Sequence, residues 1–318
     1  MDYVRVGGGR TRGTSVRRKE EFAMAYSPTI ALILALAILS TAMQGQARAS
    51  SHEGWFVRGG TADVRAEPAD GAERVTQAHL GTEVVVIDEA GDWAKVRIPV
   101  QGNYPGWIRK SAIVPAREAG AFASAKQLAV VRVARAPVFG SEQGGGPALA
   151  HVTLGARLAV LGRRGRLVRV AFPGGKSGYI AEDAVALYDR DGTPPRRGAD
   201  DIIKTAMQLL GVPYLWGGMS ADGVDCSGFV YTVFYVNGIV LPRDAHEQYA
   251  VGTPVDRGDL CPGDLVFYST YAAGASHVGI YMGEHRVIQS GSRTRGVAVI
   301  DLDDPHYGPK YIGARRVL

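Results

Sequence analysis

The segment 214–238 constrains the fold and the chemistry of this chain more than any other. It reads Tyr214-Leu-Trp-Gly-Gly218, a short loop, and then Asp225-Cys-Ser-Gly-Phe229. After the cysteine, apolar residues recur at roughly helical spacing as far as Asn237-Gly238, a typical C-terminal stop. The pattern predicts a buried helix with Cys226 in its first turn.

A cysteine at the start of a helix is a candidate nucleophile. Backbone N–H groups at a helix N-terminus carry partial positive charge, which favours a thiolate over a thiol. A thiolate is the nucleophile that covalent hydrolases need, so we expect the pKa of Cys226 to be lowered. The alternative is a small buried cysteine that only caps a core helix. Cys261, the other cysteine, is interpreted as a free thiol near a turn, since a bridge would consume the nucleophile.

Length and composition allow two or three domains with real cores. The chain has 318 residues, of which 46% are hydrophobic and 21% charged. The net charge is +5, but much of the excess lies near the start of the chain. The remainder is only mildly basic, which gives no case for nucleic-acid binding. It fits weak attraction to an anionic polymer such as a cell wall, or an ordinary solvated surface.

Residues 1–49 are predicted to be a targeting segment. A basic stretch precedes an apolar run over 30–38, and Ala47-Arg-Ala49 offers a cleavage site. The run is short for a membrane span, so cleavage with no stable span afterwards is favoured over an uncleaved anchor. Met24 is an alternative start, although it leaves almost no positive charge before the run. We expect an extracytoplasmic protein that is secreted, periplasmic or associated with the cell wall.

Residues 54–116 and 126–188 are each predicted to form a small β-barrel. Both contain short strand-like runs separated by turns. Three landmarks recur at offsets of 74, 74 and 72 residues, which indicates a duplication. They are Leu80-Gly81 with Leu154-Gly155, Val96-x-Ile98-Pro99 with Val170-x-Phe172-Pro173, and Gly106-Trp-Ile108 with Gly178-Tyr-Ile180. Both copies resemble bacterial SH3-like domains, and Gly106-Trp-Ile108 stands where that family places its Gly-Trp-Val strand.

After a linker at 191–198, residues 199–318 are predicted to form an α+β domain. An amphipathic helix over 202–210 ends at Gly211 and Pro213 and is followed by the Cys226 helix. Five strand-like runs come next, at 264–268, 277–281, 286–289, 297–300 and 312–317. Helices first and strands second indicate an antiparallel sheet.

His277 is the best candidate base among the seven histidines, because it opens a strand after a loop of small residues. An imidazole base needs an orienting partner. A hairpin turning at 283–285 brings Gln289 beside the start of the His277 strand, where its amide oxygen could accept a hydrogen bond. The alternatives are a structural histidine and a solvent-facing glutamine.

These motifs together resemble the NlpC/P60 cysteine peptidases of bacterial cell walls. The set comprises the segments at 214–218 and 225–229, Leu241-Pro-Arg243, Pro262-Gly-Asp-Leu-Val-Phe267 and His277-Val-Gly-Ile-Tyr281. The resemblance implies a papain-like α+β core with Cys226 as nucleophile, His277 as base and Gln289 as the third polar residue. Many family members carry histidine in that third place.

The resemblance also implies roles around the nucleophile. The backbone N–H of Cys226 and the hydroxyl of Tyr214 would face the developing oxyanion. Asp225 and Ser227 would contact the substrate, and Trp216 would line the pocket. Ala245 stands where many relatives have Ser or Thr, which leaves one substrate hydrogen bond unaccounted for.

The two barrels resemble those of the three-domain γ-D-glutamyl-L-diamino acid endopeptidases. In that subgroup the first barrel closes one end of the cleft and holds a free N-terminal amine. Tyr104 matches one such position, and Glu73 is our choice of acidic partner, with Glu67 as the competitor. A desolvated ammonium needs an opposite charge, which Asp225 and one barrel glutamate would supply. The alternative is that these are ordinary barrel-surface residues.

The implied activity is hydrolysis of the γ-D-Glu–diamino acid bond in peptidoglycan stem peptides or muropeptides with a free N-terminal L-Ala, through a thioester. A catalytically inactive wall-binding protein, and an amidase or acyltransferase on the same core, remain alternatives. No cofactor and no metal are expected, because the sequence has no His-Glu-x-x-His and no Cys/His pair at zinc spacing. The preferred diamino acid and the oligomeric state stay open.

Overall fold

Two antiparallel sheets of seven strands come first in the fold. In a computed structural model of the chain, which describes residues 54–318, both sheets have the same strand order. The targeting segment predicted at 1–49 lies outside these residues. The first sheet has the order β3-β2-β6-β5-β4-β1-β7. Its strands are β1 (Trp55–Val57), β2 (Thr61–Arg65), β3 (Arg74–His79), β4 (Glu83–Ala90), β5 (Trp93–Ile98), β6 (Tyr104–Arg109) and β7 (Ile113–Pro115).

The second sheet repeats this order as β10-β9-β13-β12-β11-β8-β14. Its strands are β8 (Gln127–Val131), β9 (Arg135–Phe139), β10 (Ala148–Thr153), β11 (Arg157–Arg164), β12 (Leu167–Ala171), β13 (Ser177–Ala181) and β14 (Val185–Asp189). The predicted landmarks fall at matching places: Gly81 and Gly155 stand just before β4 and β11, and both have positive φ. The sequence duplication is therefore also a duplication of topology.

The rest of the described chain combines helices with a six-stranded antiparallel sheet. The α-helices of residues 54–318 are α1 (Ala121–Ser124), α2 (Ala199–Met207), α3 (Cys226–Val236) and α4 (Ala245–Tyr249). The sheet has the order β17-β22-β18-β19-β20-β21. Its strands are β17 (Thr253–Val255), β18 (Leu265–Tyr268), β19 (His277–Gly283), β20 (Arg286–Gly291), β21 (Gly296–Asp301) and β22 (Tyr311–Arg316). A small hairpin, β15 (Met219–Ser220) with β16 (Gly223–Val224), precedes α3.

Helix α3 lies at the centre of this unit, and every one of its residues is buried. It packs on β19 and β20 on one side and on α2 on another. Side chains from the first two sheets, among them Phe56, Leu154 and Tyr188, belong to the same core as Phe229 and Phe234. Residues 54–318 therefore form one compact unit. Within this range no helix is long and apolar enough to cross a bilayer.

The predicted elements of 199–318 are present, with their ends shifted by a few residues. Helix α2 begins and ends three residues earlier than the predicted 202–210. Sequence analysis missed α4, the β15–β16 hairpin and β17. Each of these is five residues or shorter, so no periodic pattern could develop in them.

His79 is buried where the first two sheets meet. A Cβ at Gly155 would lie only 2.7 Å from its Nε2, so glycine is required for this close approach. Neither ring nitrogen has a hydrogen-bond partner among the described residues. Burial, and then the nearby charge of Arg157, lower the pKa of His79 to about 3. The ring is therefore neutral in the folded protein at any pH above that value.

We expect His79 to make the fold sensitive to acid. An unfolded histidine binds a proton below about pH 6.5 that the folded chain does not bind, so stability falls as the pH is lowered. From about pH 7 to about pH 5 this effect costs ~2 kcal/mol for one histidine. His79→Leu is therefore expected to lose ~2 kcal/mol less than the wild type over that range, measured by urea unfolding.

The control is His151→Gln, because His151 is exposed on β10. This variant should show the pH dependence of the wild type. An equal loss of stability in the wild type and in His79→Leu would contradict the assignment.

Candidate active site

The carboxylate of Asp225 builds the N-terminus of α3. Asp225 is the N-cap residue, and its Oδ1 accepts a hydrogen bond of 2.6 Å from the N–H of Gly228. Its Oδ2 accepts a second bond, of 2.9 Å, from the N–H of Gly217. Gly217 has φ of +70°, and a Cβ there would lie 2.5 Å from the carbonyl oxygen of Arg74. The two motifs around Cys226 are thereby held together, and glycine is required at the junction.

Arg243 completes the binding of this carboxylate. Its side chain is 1% exposed, and its guanidinium donates to Oδ1 and Oδ2 of Asp225 at 3.2 and 2.7 Å. Its Nε donates to the hydroxyl of Thr76 in the first sheet at 2.8 Å. The hydroxyl of Ser227 also donates to Oδ1, at 3.4 Å. Two oxygens with about four lone-pair sites now receive five donors, so Asp225 has little capacity left for a ligand. Sequence analysis quoted Arg243 as part of a motif but assigned it no role.

Cys226 is 5% exposed, and this burial favours the neutral thiol over the thiolate. Burial, and then the charge of Asp225, raise the pKa of Cys226 to about 12. The N–H groups of Val278 and Ser227 donate to the sulfur and lower the pKa, as does Arg243, but they do not offset the burial. The prediction of a lowered pKa was wrong, because desolvation by burial is the largest influence on this thiol.

His277 and Gln289 are in contact, as the hairpin geometry predicted. Strands β19 and β20 pair with Gly279 opposite Gln289, and His277 Nε2 lies 2.9 Å from Gln289 Oε1. Thr294 fixes the direction of the amide. Its hydroxyl donates to backbone carbonyls, so its oxygen accepts from Gln289 Nε2 at 3.3 Å. Oε1 therefore faces the ring, and Nε2 of His277 carries the proton while Nδ1 keeps its lone pair.

The imidazole of His277 is neutral. Burial lowers its pKa to about 4, although the hydrogen bond to Gln289 acts in the opposite direction. The ring of Tyr307 stacks on it with a centroid distance of 5.1 Å. Among the described residues, the sulfur of Cys226 has no hydrogen bond to the imidazole. The N–H of Val278, the residue that follows His277, donates to the sulfur instead.

Two cavities flank Cys226 and His277. Cys226 lines the first, of about 260 Å³, and His277 lines the second, of about 250 Å³. Tyr214 and Tyr271 belong to the walls of both cavities. Tyr271 is 65% exposed and packs edge-on against Trp216. The cleft therefore has a cysteine side and a histidine side, which meet at these two tyrosines.

The first sheet forms one wall of the cysteine-side cavity. Glu73 and Tyr104 both line it, while Glu67 is exposed outside it. Glu73 Oε1 accepts a hydrogen bond of 2.7 Å from the indole of Trp216. Tyr104 donates to Asp244 at 3.1 Å. Of the predicted substrate contacts, Asp225, Ser227 and Trp216 also line this cavity, as does Ala245.

Sequence analysis missed several residues of the cleft. Asp244 adds a carboxylate to the cysteine side, and burial raises its pKa. Tyr271 could have been noticed as the one aromatic residue in the loop of small residues before His277. Thr294 and Tyr307 lie in turns where no local pattern marked them. Within residues 54–318, no group of three or more His, Cys, Asp or Glu side chains is arranged to hold a metal ion.

Helix α3 is buried, begins with cysteine and packs on an antiparallel sheet whose adjoining strands carry His277 and Gln289. These are the groups that a cysteine peptidase needs. The comparisons with known proteins agree. The model of the NlpC/P60 family matches residues 211–316, and that of the bacterial dipeptidyl-peptidase Sh3 domain matches residues 64–113. The first range contains Cys226, His277 and Gln289, and the second contains Glu73 and Tyr104.

The chain is similar to two curated γ-D-glutamyl-L-lysine dipeptidyl-peptidases. It is 35% identical over 255 residues to that of Bacillus cereus, covering 76% of this chain and 75% of the relative. To that of Bacillus subtilis it is 30% identical over 250 residues, covering 76% and 80%. A crystal structure of an NlpC/P60 family protein from Bacillus cereus superposes with a TM-score of 0.73 at 30% identity, covering 83% of this chain and 99% of that chain.

The chain belongs to the NlpC/P60 family and is a cysteine-type peptidase. The comparisons found an SH3 domain in the first sheet. They leave the predicted second SH3-like domain, and the closure of either sheet into a barrel, unconfirmed.

We expect iodoacetamide to label Cys261 before Cys226 in the ligand-free protein near neutral pH. Cys261 is exposed, whereas Cys226 is buried with a thiol pKa raised to about 12. A time course followed by peptide mass spectrometry measures both rates, and Cys261→Ser isolates the reaction of Cys226. Faster labelling of Cys226 would mean that the free site contains a thiolate.

Proposed function

We propose that this protein is an extracytoplasmic endopeptidase that hydrolyses the γ-D-Glu–diamino acid bond of peptidoglycan stem peptides with a free N-terminal L-Ala. The observation that carries the proposal is the wall that Glu73 and Tyr104 give to the Cys226 cavity. A wall at this point limits the length of chain on the acyl side of the nucleophile. The names of the two Bacillus relatives, which are γ-D-glutamyl-L-lysine dipeptidyl-peptidases, support the same bond.

In this mechanism Cys226 attacks the carbonyl carbon while His277 takes its proton. The thiol pKa is raised and the imidazole pKa is lowered, so an ion pair does not form in advance. Proton transfer to Nδ1 therefore accompanies the formation of the C–S bond. The imidazolium is a strong acid, which suits the next step: it protonates the leaving amine. Water then hydrolyses the thioester, with His277 again acting as base.

Two donors would stabilise the oxyanion. Cys226 is the first residue of α3, so its backbone N–H has no acceptor within the helix. Burial, and then the proximity of Cys226, raise the pKa of Tyr214, so its phenol keeps its proton and can donate. Both groups are held before the reaction starts, which is the condition for this kind of stabilisation.

The N-terminal amine of the substrate would bind on the cysteine side of the cleft. One oxygen of Glu73 is used by Trp216, which leaves Oε2 for an ammonium group. Asp244 supplies a second negative charge in the same cavity, and Tyr104 holds it. Asp225 would help to orient the site and would not bind the amine directly, since its lone pairs already have donors. Ser227 and Trp216 remain proposed contacts of the dipeptide.

The proposed organisation is a targeting segment at 1–49, SH3-like domains at 54–116 and 126–188, and the peptidase domain at 199–318. The identical strand orders of the first two sheets support the second SH3-like domain. An NlpC/P60 match restricted to 211–316 supports the last boundary.

Cys226→Ala should lower the hydrolysis of L-Ala-γ-D-Glu-L-Lys and of its meso-diaminopimelate counterpart by at least about a thousandfold, since the nucleophile is removed. Mass spectrometry of the products measures cleavage at the γ-glutamyl bond. Cys261→Ala is the matched control and should retain activity. Cleavage by Cys226→Ala, or products cut at another bond, would refute the proposal.

Glu73→Gln should lower kcat/KM for the free-amine tripeptide by roughly tenfold, because one charged hydrogen bond in a partly open site is lost. The N-acetylated tripeptide lacks the ammonium group, so the same substitution should change its much slower cleavage far less. Glu67→Gln is the control and should behave as the wild type. An effect of Glu67→Gln with none of Glu73→Gln would reverse the choice between the two glutamates.

A further inference from the structure

The histidine-side cavity has the opposite charge to the cysteine-side cavity. On the cysteine side, Glu73 and Asp244 supply negative charge, whereas the charge of Asp225 is paired with Arg243. The histidine side is lined by Arg293 and Lys310, with His306 beside them, and none of the described residues in its wall is Asp or Glu. The nucleophile and the base therefore lie between a negative and a positive cavity.

The positive charge on the histidine side is not balanced by the protein. Among the described residues Arg293 has no ion pair and no hydrogen bond of its side chain. It lies in the turn between β20 and β21 and is exposed. The side-chain amine of Lys310 contacts only the ring of His306, at 3.1 Å from Nε2.

The pKa of His306 shows that the charges of Lys310 and Arg293 both reach the same point of the cavity. Desolvation is the largest cause that lowers this pKa, and Lys310 and then Arg293 lower it further. Asp304 acts in the opposite direction but more weakly, and its Oδ1 is occupied by the N–H groups of His306 and Tyr307. The cavity thus has a net positive potential next to the catalytic base.

The leaving half of a substrate must lie on this side of the cleft. In the proposed function His277 protonates the leaving amine, and His277 lines this cavity. The acyl half stays with Cys226 on the other side. The substituents on the α-carbon and the side chain of the residue released here therefore contact the positive cavity.

We propose that Arg293 and Lys310 bind a free carboxylate of the residue on the leaving side of the scissile bond. The inference rests on the proposed function. The carboxylate has two possible sources: the α-carboxylate of a terminal diamino acid, or the side-chain carboxylate that diaminopimelate has and lysine lacks. A lysine side chain ends in an ammonium group, which this cavity repels.

Binding to Cys226→Ala, measured by calorimetry, tests the inference without turnover. Four peptides separate the sources: L-Ala-γ-D-Glu-L-Lys, its α-carboxamide, L-Ala-γ-D-Glu-meso-diaminopimelate, and the latter amidated on its side-chain carboxylate. We expect roughly tenfold tighter binding of a free acid than of the corresponding amide for at least one source. Arg293→Gln and Lys310→Gln in the same background should each bring that ratio towards one.

Arg166→Gln is the matched control, because Arg166 is an exposed cation in the turn between β11 and β12, and it should leave the ratio unchanged. Equal binding of acids and amides, persistence of the ratio in both variants, or no binding of any peptide would overturn the inference. Cleavage by the wild-type protein is measured separately. Acids and amides that bind equally while the γ-glutamyl bond is cut would leave the proposed function standing.

Discussion

The buried ion pair between Asp225 and Arg243 is the interaction on which the catalytic centre depends. It joins the Gly217 turn, the first turn of α3 and, through Thr76, the first sheet. Removing one partner of such a pair leaves a buried charge without compensation, which typically costs about 3–5 kcal/mol. These contacts therefore couple the position of the helix that carries Cys226 to the first sheet. The SH3 domain therefore supports the helix that carries Cys226, in addition to forming a wall of the cleft.

The same burial that fixes the helix also sets the protonation states. Desolvation keeps both Cys226 and His277 neutral, because a charged sulfur and a charged ring would each lose more hydration than their neighbours replace. Gln289 is consistent with this arrangement. A neutral amide orients the imidazole but stabilises its charged form less than a carboxylate would. Cys226 and His277 therefore stay neutral until a substrate carbonyl is present to react with the sulfur.

Sequence reasoning succeeded where a periodic pattern, or the number of residues between two paired strands, determines the position of a residue. The Cys226 helix, the strands of the last sheet and the contact between His277 and Gln289 are of this kind. It failed for the pKa of Cys226, because a helix terminus is visible in sequence and the surrounding desolvation is not. It also missed the roles of Arg243, Asp244 and Tyr271. These residues come from loops whose meeting point is set by tertiary packing, and no local spacing records it.

Under the proposed function and the proposed carboxylate site, the distribution of charge along the cleft would give the substrate a direction. Carboxylates lie on the cysteine side and cations on the histidine side, with Tyr214 and Tyr271 between them. A peptide with an ammonium group at one end and a carboxylate at the other is stabilised in one orientation and repelled at both ends in the reverse one. In the favourable orientation its acyl half faces Cys226 and its amine half faces His277. Because two separated charges fix the register of a short peptide, the bond presented to the sulfur is determined by the distance of that bond from each end.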